Sequence, residues 1–277
     1  MEDRYRIINR PETDEYFFGV FDGHGGSKVS DYLANILHPF YLDYIYEKFT
    51  IPDALIKSFE SVHKELDSNT SLYQGSTALV AVIKDEKIYV ANVGDSRAVL
   101  YRNSQAIDLS YDHKSSRKDE VERVQKLGAH VYIPVESLDG SRLQWSKIIN
   151  NTQFIDVKKA ELLKLLNIPF RQIDTHSALV FNSSGKCSCL TRVIGYKLMQ
   201  DILIPTPEIT IIDKIAEDEF IIMASDGIWD VMTSQYAINL VKELLEEGKS
   251  VDNVARRLAR RARILGSADN ITVLIIK

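Results

Sequence analysis

Three aspartates of this 277-residue chain share one local setting. Asp22 ends the apolar run YFFGVF (16–21), Asp226 follows FIIMAS (220–225), and Asp269, with Asn270, leads into ITVLII (271–276). A carboxylate at the end of a buried strand sits where a rigid scaffold can hold it on a sheet rim. Glycine follows Asp22 and Asp226. With no Cβ, it lets the backbone, carbonyl included, come close to a ligand. Carboxylates that converge repel one another unless a cation neutralises them. An all-oxygen set suits a hard ion, Mg²⁺ or Mn²⁺, rather than zinc. Each Asp-Gly pair is equally an ordinary turn, and spacing alone leaves both readings open.

The elements that must position these residues follow from periodicity. YFFGVF reads as a buried strand rich in aromatic and β-branched residues. A helix is expected over 27–49. A second starts near Asp53, where Leu55, Phe59, Val62 and Leu66 recur at helical spacing behind Pro52. The period then changes to short strands at 76–83, 87–93 and 97–102, with turns at Lys84-Asp85-Glu86 and Gly94-Asp95. A helix is expected over 117–127, stopped by Gly128, and a short one over 157–166. Strands at 208–212 and 220–224, helices at 235–247 and 251–265, and a strand at 271–276 complete the chain. Strand meanders interrupted by helical pairs predict antiparallel sheets with helices packed outside.

Composition narrows the function. The chain has 34 Lys+Arg against 39 Asp+Glu, a net charge of -5, which argues against coating nucleic acid or an anionic membrane. Apolar runs such as 271–276 are far shorter than the ~20 residues a membrane span requires. The opening MEDRYRIINR lacks a signal-peptide core. Two cysteines, Cys187 and Cys189, can build neither a disulfide framework nor a four-thiolate zinc site. They suit a reducing compartment, so a cytoplasmic or nuclear protein is expected. Cys187 to Arg192 is one residue short of the Cys-x5-Arg of a cysteine phosphatase. No Asp-x-Asp pair and no Gly-x4-Gly-Lys-Ser/Thr loop is present.

Several segments together are specific. FGVFDGHGG (18–26), GSTALVAVI (75–83), VANVGDSRAVL (90–100), SYDHK (110–114), ASDGIWDVM (224–232) and GSADNITVLII (266–276) occur in this order across nearly the whole chain. They closely resemble the signature segments of the metal-dependent Ser/Thr protein phosphatases, type 2C. Met1-Glu2-Asp3-Arg4 resembles that family's early Met-Glu-Asp motif. On this resemblance the family's first strand and an upstream phosphate-binding arginine are expected either to be missing from this chain, an N-terminal truncation, or to lie in a part not shown.

The resemblance implies a single α/β (α+β) domain over 1–277, a four-layer α-β-β-α sandwich with two central antiparallel sheets. It implies hydrolysis of phosphoserine and phosphothreonine in phosphoprotein substrates by a hydroxide bridging two Mg²⁺ or Mn²⁺ ions. Asp22 matches the shared bridging ligand, and Asp226 and Asp269 complete the first site. Glu2 and the Gly23 carbonyl match the second. Asp112 resembles the acid of a weaker third site, which Asp226 also serves. Asp3, Asp230 and Asn270 match supporting positions. His24 matches the general acid that protonates the leaving oxygen, a task suited to an imidazole; by itself it also reads as a polar loop residue.

Two departures stand out. Where the family has a Ser-Arg-Ala-small-Gly-Asp segment, this chain has Thr191-Arg192-Val193-Ile194-Gly195-Tyr196, with Tyr196 in place of the acid. That segment also arrives about 50 residues late, so 131–190 is expected to be an enlarged flap or insertion near the catalytic cleft. Arg192 is a candidate substrate contact. A second reading of the same fold is a pseudophosphatase that works as a binding or scaffold module; retention of Glu2, Asp22, Asp226 and Asp269 favours the enzyme. Gly94-Asp95-Ser96-Arg97 reads as a structural turn, with Asp95 bonding backbone amides. The arginines of 256–263 read as a solvated helix face, Trp229 as core, and Tyr41, Tyr44 and Tyr46 as helix packing. A monomer is expected.

Overall fold

In a computed structural model of the chain, residues 1–66, 72–136, 143–149, 153–157 and 178–277 are described. The order begins β1 (Arg4–Arg10), β2 (Glu15–Phe21), β3 (Gly23–His24), α1 (Lys28–Tyr46), α2 (Ile51–Glu65) and β4 (Gly75–Ser76). It continues β5 (Ala78–Lys84), β6 (Lys87–Val93), β7 (Arg97–Arg102), β8 (Gln105–Asp108), α3 (Lys118–Lys126), β9 (His130–Glu136), β10 (Leu143–Ile149) and β11 (Gln153–Val157). Then come β12 (Leu179–Phe181), β13 (Cys187–Ser188), β14 (Ile194–Gly195), β15 (Glu208–Asp213), β16 (Asp218–Ala224), α4 (Asp226–Trp229), α5 (Ser234–Glu246), α6 (Val251–Ile264) and β17 (Val273–Ile276). The chain divides into two compact units. One comprises Met1–Asp112, Val193–Tyr196 and Pro205–Lys277; the other comprises His113–Arg192 and Lys197–Ile204.

Alternation along the strands explains the first unit. Phe17, Phe21, Val80 and Val82 point to one face of an antiparallel sheet ordered β1-β2-β5-β6-β15 and pack beneath Leu33, Leu37, Leu55 and Phe59 of α1 and α2. Phe18, Val20, Leu79 and Ala81 point to the other face. There they meet Ala98, Leu100, Ile221 and Met223 from a second antiparallel sheet, β17-β16-β7-β8. On the opposite face of that second sheet, Val99, Tyr101, Ile222 and Ala224 meet Ile238, Val241, Val254 and Leu258 of α5 and α6. The result is four layers, helix, sheet, sheet and helix. A strand buried on both faces reads as a continuous apolar run, which is why β2, β5 and β16 are so legible.

The turns are of matching chemistry. Asp85-Glu86 and Asn103-Ser104 both take positive φ, the two-residue hairpin form whose twist matches the flanking strands. Helices α2, α5 and α6 start on hydroxyl caps, Thr50, Thr233 and Ser250, each accepting an amide hydrogen bond from its first turn. A small sheet, β14-β4-β3, completes this unit.

The second unit holds α3 and the antiparallel sheet β11-β10-β9-β12-β13. Glu120 of α3 is buried there, and its carboxylate takes Arg123 at 2.9 Å and Arg192 at 2.6 Å. Burial pushes the carboxyl up, but the two guanidiniums outweigh it and hold its pKa at about 2.

Some expectations need correction. Strand β1 was not expected, because it lies at the sheet edge and its exposed positions, Tyr5, Arg6, Ile7 and Asn9, show no apolar–polar alternation. Tyr46 is exposed rather than packed. Val157 closes a strand, and the remainder of the helix expected to 166 lies outside the described residues. Trp229 is core as expected, its indole N–H donating to the Ala224 carbonyl at 2.9 Å. Along α6, Val254, Leu258 and Ala262 are buried while Arg256, Arg257, Arg260 and Arg263 are exposed. Among the described residues, no helix is long and apolar enough to cross a membrane.

Candidate metal centre

All the carboxylates singled out in the sequence lie in the first unit. At the end of β2, Asp22 is fixed by its backbone. Its N–H donates to Thr77 Oγ1 at 3.1 Å, and its carbonyl accepts from the Thr77 N–H at 2.8 Å. Thr77 Oγ1 also pairs with Ser96 Oγ at 2.9 Å, which ties the turn after β6 to the same rim. Gly94 makes that turn at φ +100°, and a Cβ there would meet Thr77 Cγ2 at 2.6 Å.

Asp226 opens α4 directly after β16. Ser225, just before it, is a buried junction. Its hydroxyl donates to Asp3 Oδ2 at 2.9 Å and accepts from the Thr272 N–H at 3.0 Å. Three distant segments therefore meet at one side chain. Asn270 adds a second link between two of them, accepting the Glu2 N–H at 3.0 Å while its own N–H donates to Asp269 Oδ1 at 2.6 Å. The Glu2 carbonyl accepts from Ser30 Oγ. Gly23 packs into this corner, where a Cβ would lie 2.7 Å from both the Glu2 carbonyl oxygen and Ser30 Oγ.

The electrostatics are those of a crowded acidic pocket. Burial, and then Asp226, Asp3 and Asp95, push the Asp22 carboxyl up to about 11. The sequence presents Asp95 as a turn residue alone. It lies close enough to act on Asp22, and its position at the end of β6 was the available signal. Asp3 Oδ1 is buried with no hydrogen-bond partner, although Oδ2 is satisfied by Ser225. A buried, unsatisfied carboxylate oxygen among three other acids is unfavourable unless a cation sits there. The donors present are all oxygens, so the residues fit hard divalent ions. Glu2, Asp22, the Gly23 carbonyl and Asp226 would hold them from this corner. Asp269 reaches it through Asn270 and remains exposed.

His24 sits on β3, paired with Gly75 of β4. Its ring makes an edge-on contact with Tyr196, 5.8 Å between centroids. Although part of its surface reaches solvent, the surrounding protein lowers its pKa to about 4.

Two expected site residues are engaged elsewhere. Asp112 forms a bidentate pair with Arg97, 2.9 and 2.7 Å, so both its oxygens have a cation already. Arg97 also donates to Ser234 at 3.2 Å, lies over the Trp229 ring and feels the charge of Asp230. The Asp230 N–H donates to the Asp226 carbonyl at 2.9 Å. Arg192, the candidate substrate contact, belongs to the second unit and is held by Glu120.

The family model for protein phosphatase 2C matches residues 1–161 and 175–271. The chain belongs to the protein phosphatase 2C family. This is a metal-dependent family, in accord with the acidic corner. Protein phosphatase 2C 56 of Arabidopsis thaliana is 31% identical over 96% of this chain and 59% of its own length. Probable protein phosphatase 2C 52 of rice (Oryza sativa subsp. japonica) is 33% identical over 100% of this chain and 48% of its own. The chain thus spans about half the length of such relatives. Two solved structures share the fold, each with a TM-score of 0.73. A C. elegans sex determining protein is 23% identical, with 99% of this chain and 60% of that one covered. The serine-threonine phosphatase 2C from Toxoplasma gondii is 21% identical, with 99% and 89% covered.

Proposed function

We propose that this chain is the catalytic domain of a protein serine/threonine phosphatase, hydrolysing phosphoserine and phosphothreonine in protein substrates. One observation carries the reading: Asp3, Asp22, Asp95 and Asp226 converge at one rim of a phosphatase-family fold. Glu2, Asp22, the Gly23 carbonyl, Asp226 and Asp269 would hold two divalent ions, Mg²⁺ or Mn²⁺, with Asp3 and Asn270 in support. When bound, such ions lower the pKa of water and so supply the nucleophile that attacks phosphorus.

The chain's own residues do the rest. Asp22 is held in place through Thr77 and Ser96, so the carboxylate array is set by strand ends rather than by mobile loops. His24 gives its proton to the departing serine or threonine oxygen; burial disfavours the imidazolium, and the negative phosphate brought beside it favours that form again. In this reading Asp112 stays with Arg97 rather than with a third ion. Of the enlarged flap expected over 131–190, residues 137–142, 150–152 and 158–177 lie outside the described residues. The protein acts as a monomer on phosphoproteins and does not bind nucleic acid. Its two cysteines, neither in a disulfide, support a cytoplasmic or nuclear setting.

The test is hydrolysis of a phosphothreonine peptide with Mn²⁺, with Mg²⁺ and with EDTA, beside Asp22→Ala and Asp226→Ala. Turnover that needs metal and is abolished by either substitution is expected. A folded, metal-loaded wild-type chain with no turnover overturns the reading and returns the scaffold alternative.

A further inference from the structure

Tyr196 sits in a conformation that its side chain disfavours. Its φ is +48°, in the left-handed region, directly after Gly195 at φ +86°. A bulky L-residue there costs of order 1–2 kcal/mol. The fold nevertheless fixes it. The Tyr196 N–H donates to the Gln74 carbonyl at 2.8 Å, and the Gly195 N–H donates to His63 Nδ1 at 3.2 Å. Gly195 has no room for a Cβ, which would come within 2.8 Å of the Gln74 carbonyl oxygen. Strain that surrounding hydrogen bonds over-determine marks a position where the side chain is needed in one place.

That place is against His24. The two rings meet at 76° with centroids 5.8 Å apart, the edge-to-face geometry that aromatic pairs favour. The same small sheet carries both: β14, which ends at Gly195, pairs with β4, and β4 pairs with β3, which carries His24. Gly75 of β4 leaves space for the imidazole, since a Cβ there would lie 2.8 Å from His24 Cε1. The imidazole is therefore seated against Gly75 and braced by Tyr196.

We infer that Tyr196 is a positioning residue for His24, holding the imidazole in the orientation from which it protonates the leaving oxygen. The inference rests on the phosphatase reading and adds a residue to it. Tyr196 contacts neither substrate nor metal in this role. It acts through the ring of His24, so its effect depends on how much the leaving group needs a proton. An alkoxide leaving from phosphothreonine needs one; p-nitrophenolate, a stable anion, does not.

The experiment compares wild type, Tyr196→Gly, Tyr196→Phe and His24→Ala on a phosphothreonine peptide and on p-nitrophenyl phosphate, with Mn²⁺ present. Glycine is chosen because it removes the ring and relieves the backbone strain, which offsets part of the lost ring contact, so the variant is expected to fold. Expected is a fall in kcat of roughly 10- to 100-fold for the peptide in Tyr196→Gly, with KM unchanged. Activity on p-nitrophenyl phosphate stays within about 2-fold, and His24→Ala shows the same leaving-group dependence at least as strongly. Tyr196→Phe retains the ring and therefore wild-type rates. A second readout needs no turnover: in the metal-free protein, the His24 ring-proton NMR signals shift in Tyr196→Gly and stay put in Tyr196→Phe.

Equal losses on both substrates, no loss on either, or a Phe variant as impaired as Gly would each overturn the inference. Unmoved His24 signals in Tyr196→Gly would do the same. A wild-type chain that is folded and metal-loaded yet inactive on both substrates overturns the phosphatase reading itself, and this role with it.

Discussion

Substituting alanine for Gly75 places one methyl group under the ring on which proton donation depends. An added Cβ would overlap His24 Nε2 and lie 2.8 Å from its Cε1 and 2.9 Å from Val193 Cγ2. Ordinary contact begins near 3.4 Å, so the imidazole must move by at least about 0.6 Å, and by roughly 1 Å where the overlap is worst. Each clashing atom belongs to a side chain that can give way, and Gly75 does not take a positive φ. The fold should therefore survive. The loss of unfolded-chain freedom offsets part of the contact strain, leaving a stability change below about 1 kcal/mol. Catalysis should not survive equally well. A displacement of this size at a reacting group costs up to about 100-fold, or about 2.7 kcal/mol of barrier. The assay is kcat on a phosphothreonine peptide with Mn²⁺, combined with urea unfolding, for Gly75→Ala, His24→Ala and the double variant. Because both changes act through one ring, the double variant should be no slower than His24→Ala alone. Full activity in a folded Gly75→Ala would refute the reasoning. So would a further large loss in the His24→Ala background, since the methyl would then be acting on something else.

Other consequences are testable on stability. Mn²⁺ at about 100 times its Kd should stabilise the first unit by about 2.7 kcal/mol, and Asp226→Ala should abolish the shift seen by calorimetry. His38 is buried against Phe17 and Tyr41, and burial lowers its pKa to about 4 from 6.5. Because the folded value is the lower one, its contribution is complete above pH 6.5 and is lost as pH falls toward 4. Urea unfolding of wild type against His38→Met should therefore diverge by about 2 kcal/mol between pH 7.5 and 5, and parallel curves would count against it. Glu120→Ala leaves Arg123 and Arg192 facing each other without their carboxylate. Hydrogen exchange at the buried Val121 and Val124 should report a loss of about 3–5 kcal/mol in that unit; unchanged protection would show that water takes over the carboxylate's role.

Much of this protein was legible along the chain because its central strands are buried on both faces. YFFGVF and FIIMA can be nothing but core, and the acids that end them had to stand at a sheet rim. Motifs separated by up to 250 residues could be grouped because each repeats that local pattern. The sequence itself therefore determined the central strands and the long helices beside them, the antiparallel meanders and the acidic character of the site, but not the strands between 130 and 195. Edge strand β1 was hidden because its exposed positions, Tyr5, Arg6, Ile7 and Asn9, mix apolar and polar residues and carry no burial signal.

Only tertiary structure decided which acids share a field. Asp95 and Asp112 look alike as loop residues next to strands, yet Asp95 presses on Asp22 while Asp112 is neutralised by Arg97. No spacing rule encodes that choice. It depends on which side of the β6–β7 rim each carboxylate faces and on a guanidinium that arrives from β7. The same holds for Tyr196. In the sequence it is a replaced acid, and in the folded chain its ring braces His24 because two short strands bring positions 24, 75 and 195 into one ladder. Local pattern sets what a residue can do; long-range pairing sets which charge or ring it does it to, because Coulombic and packing forces act over a few ångströms of space and not along the chain.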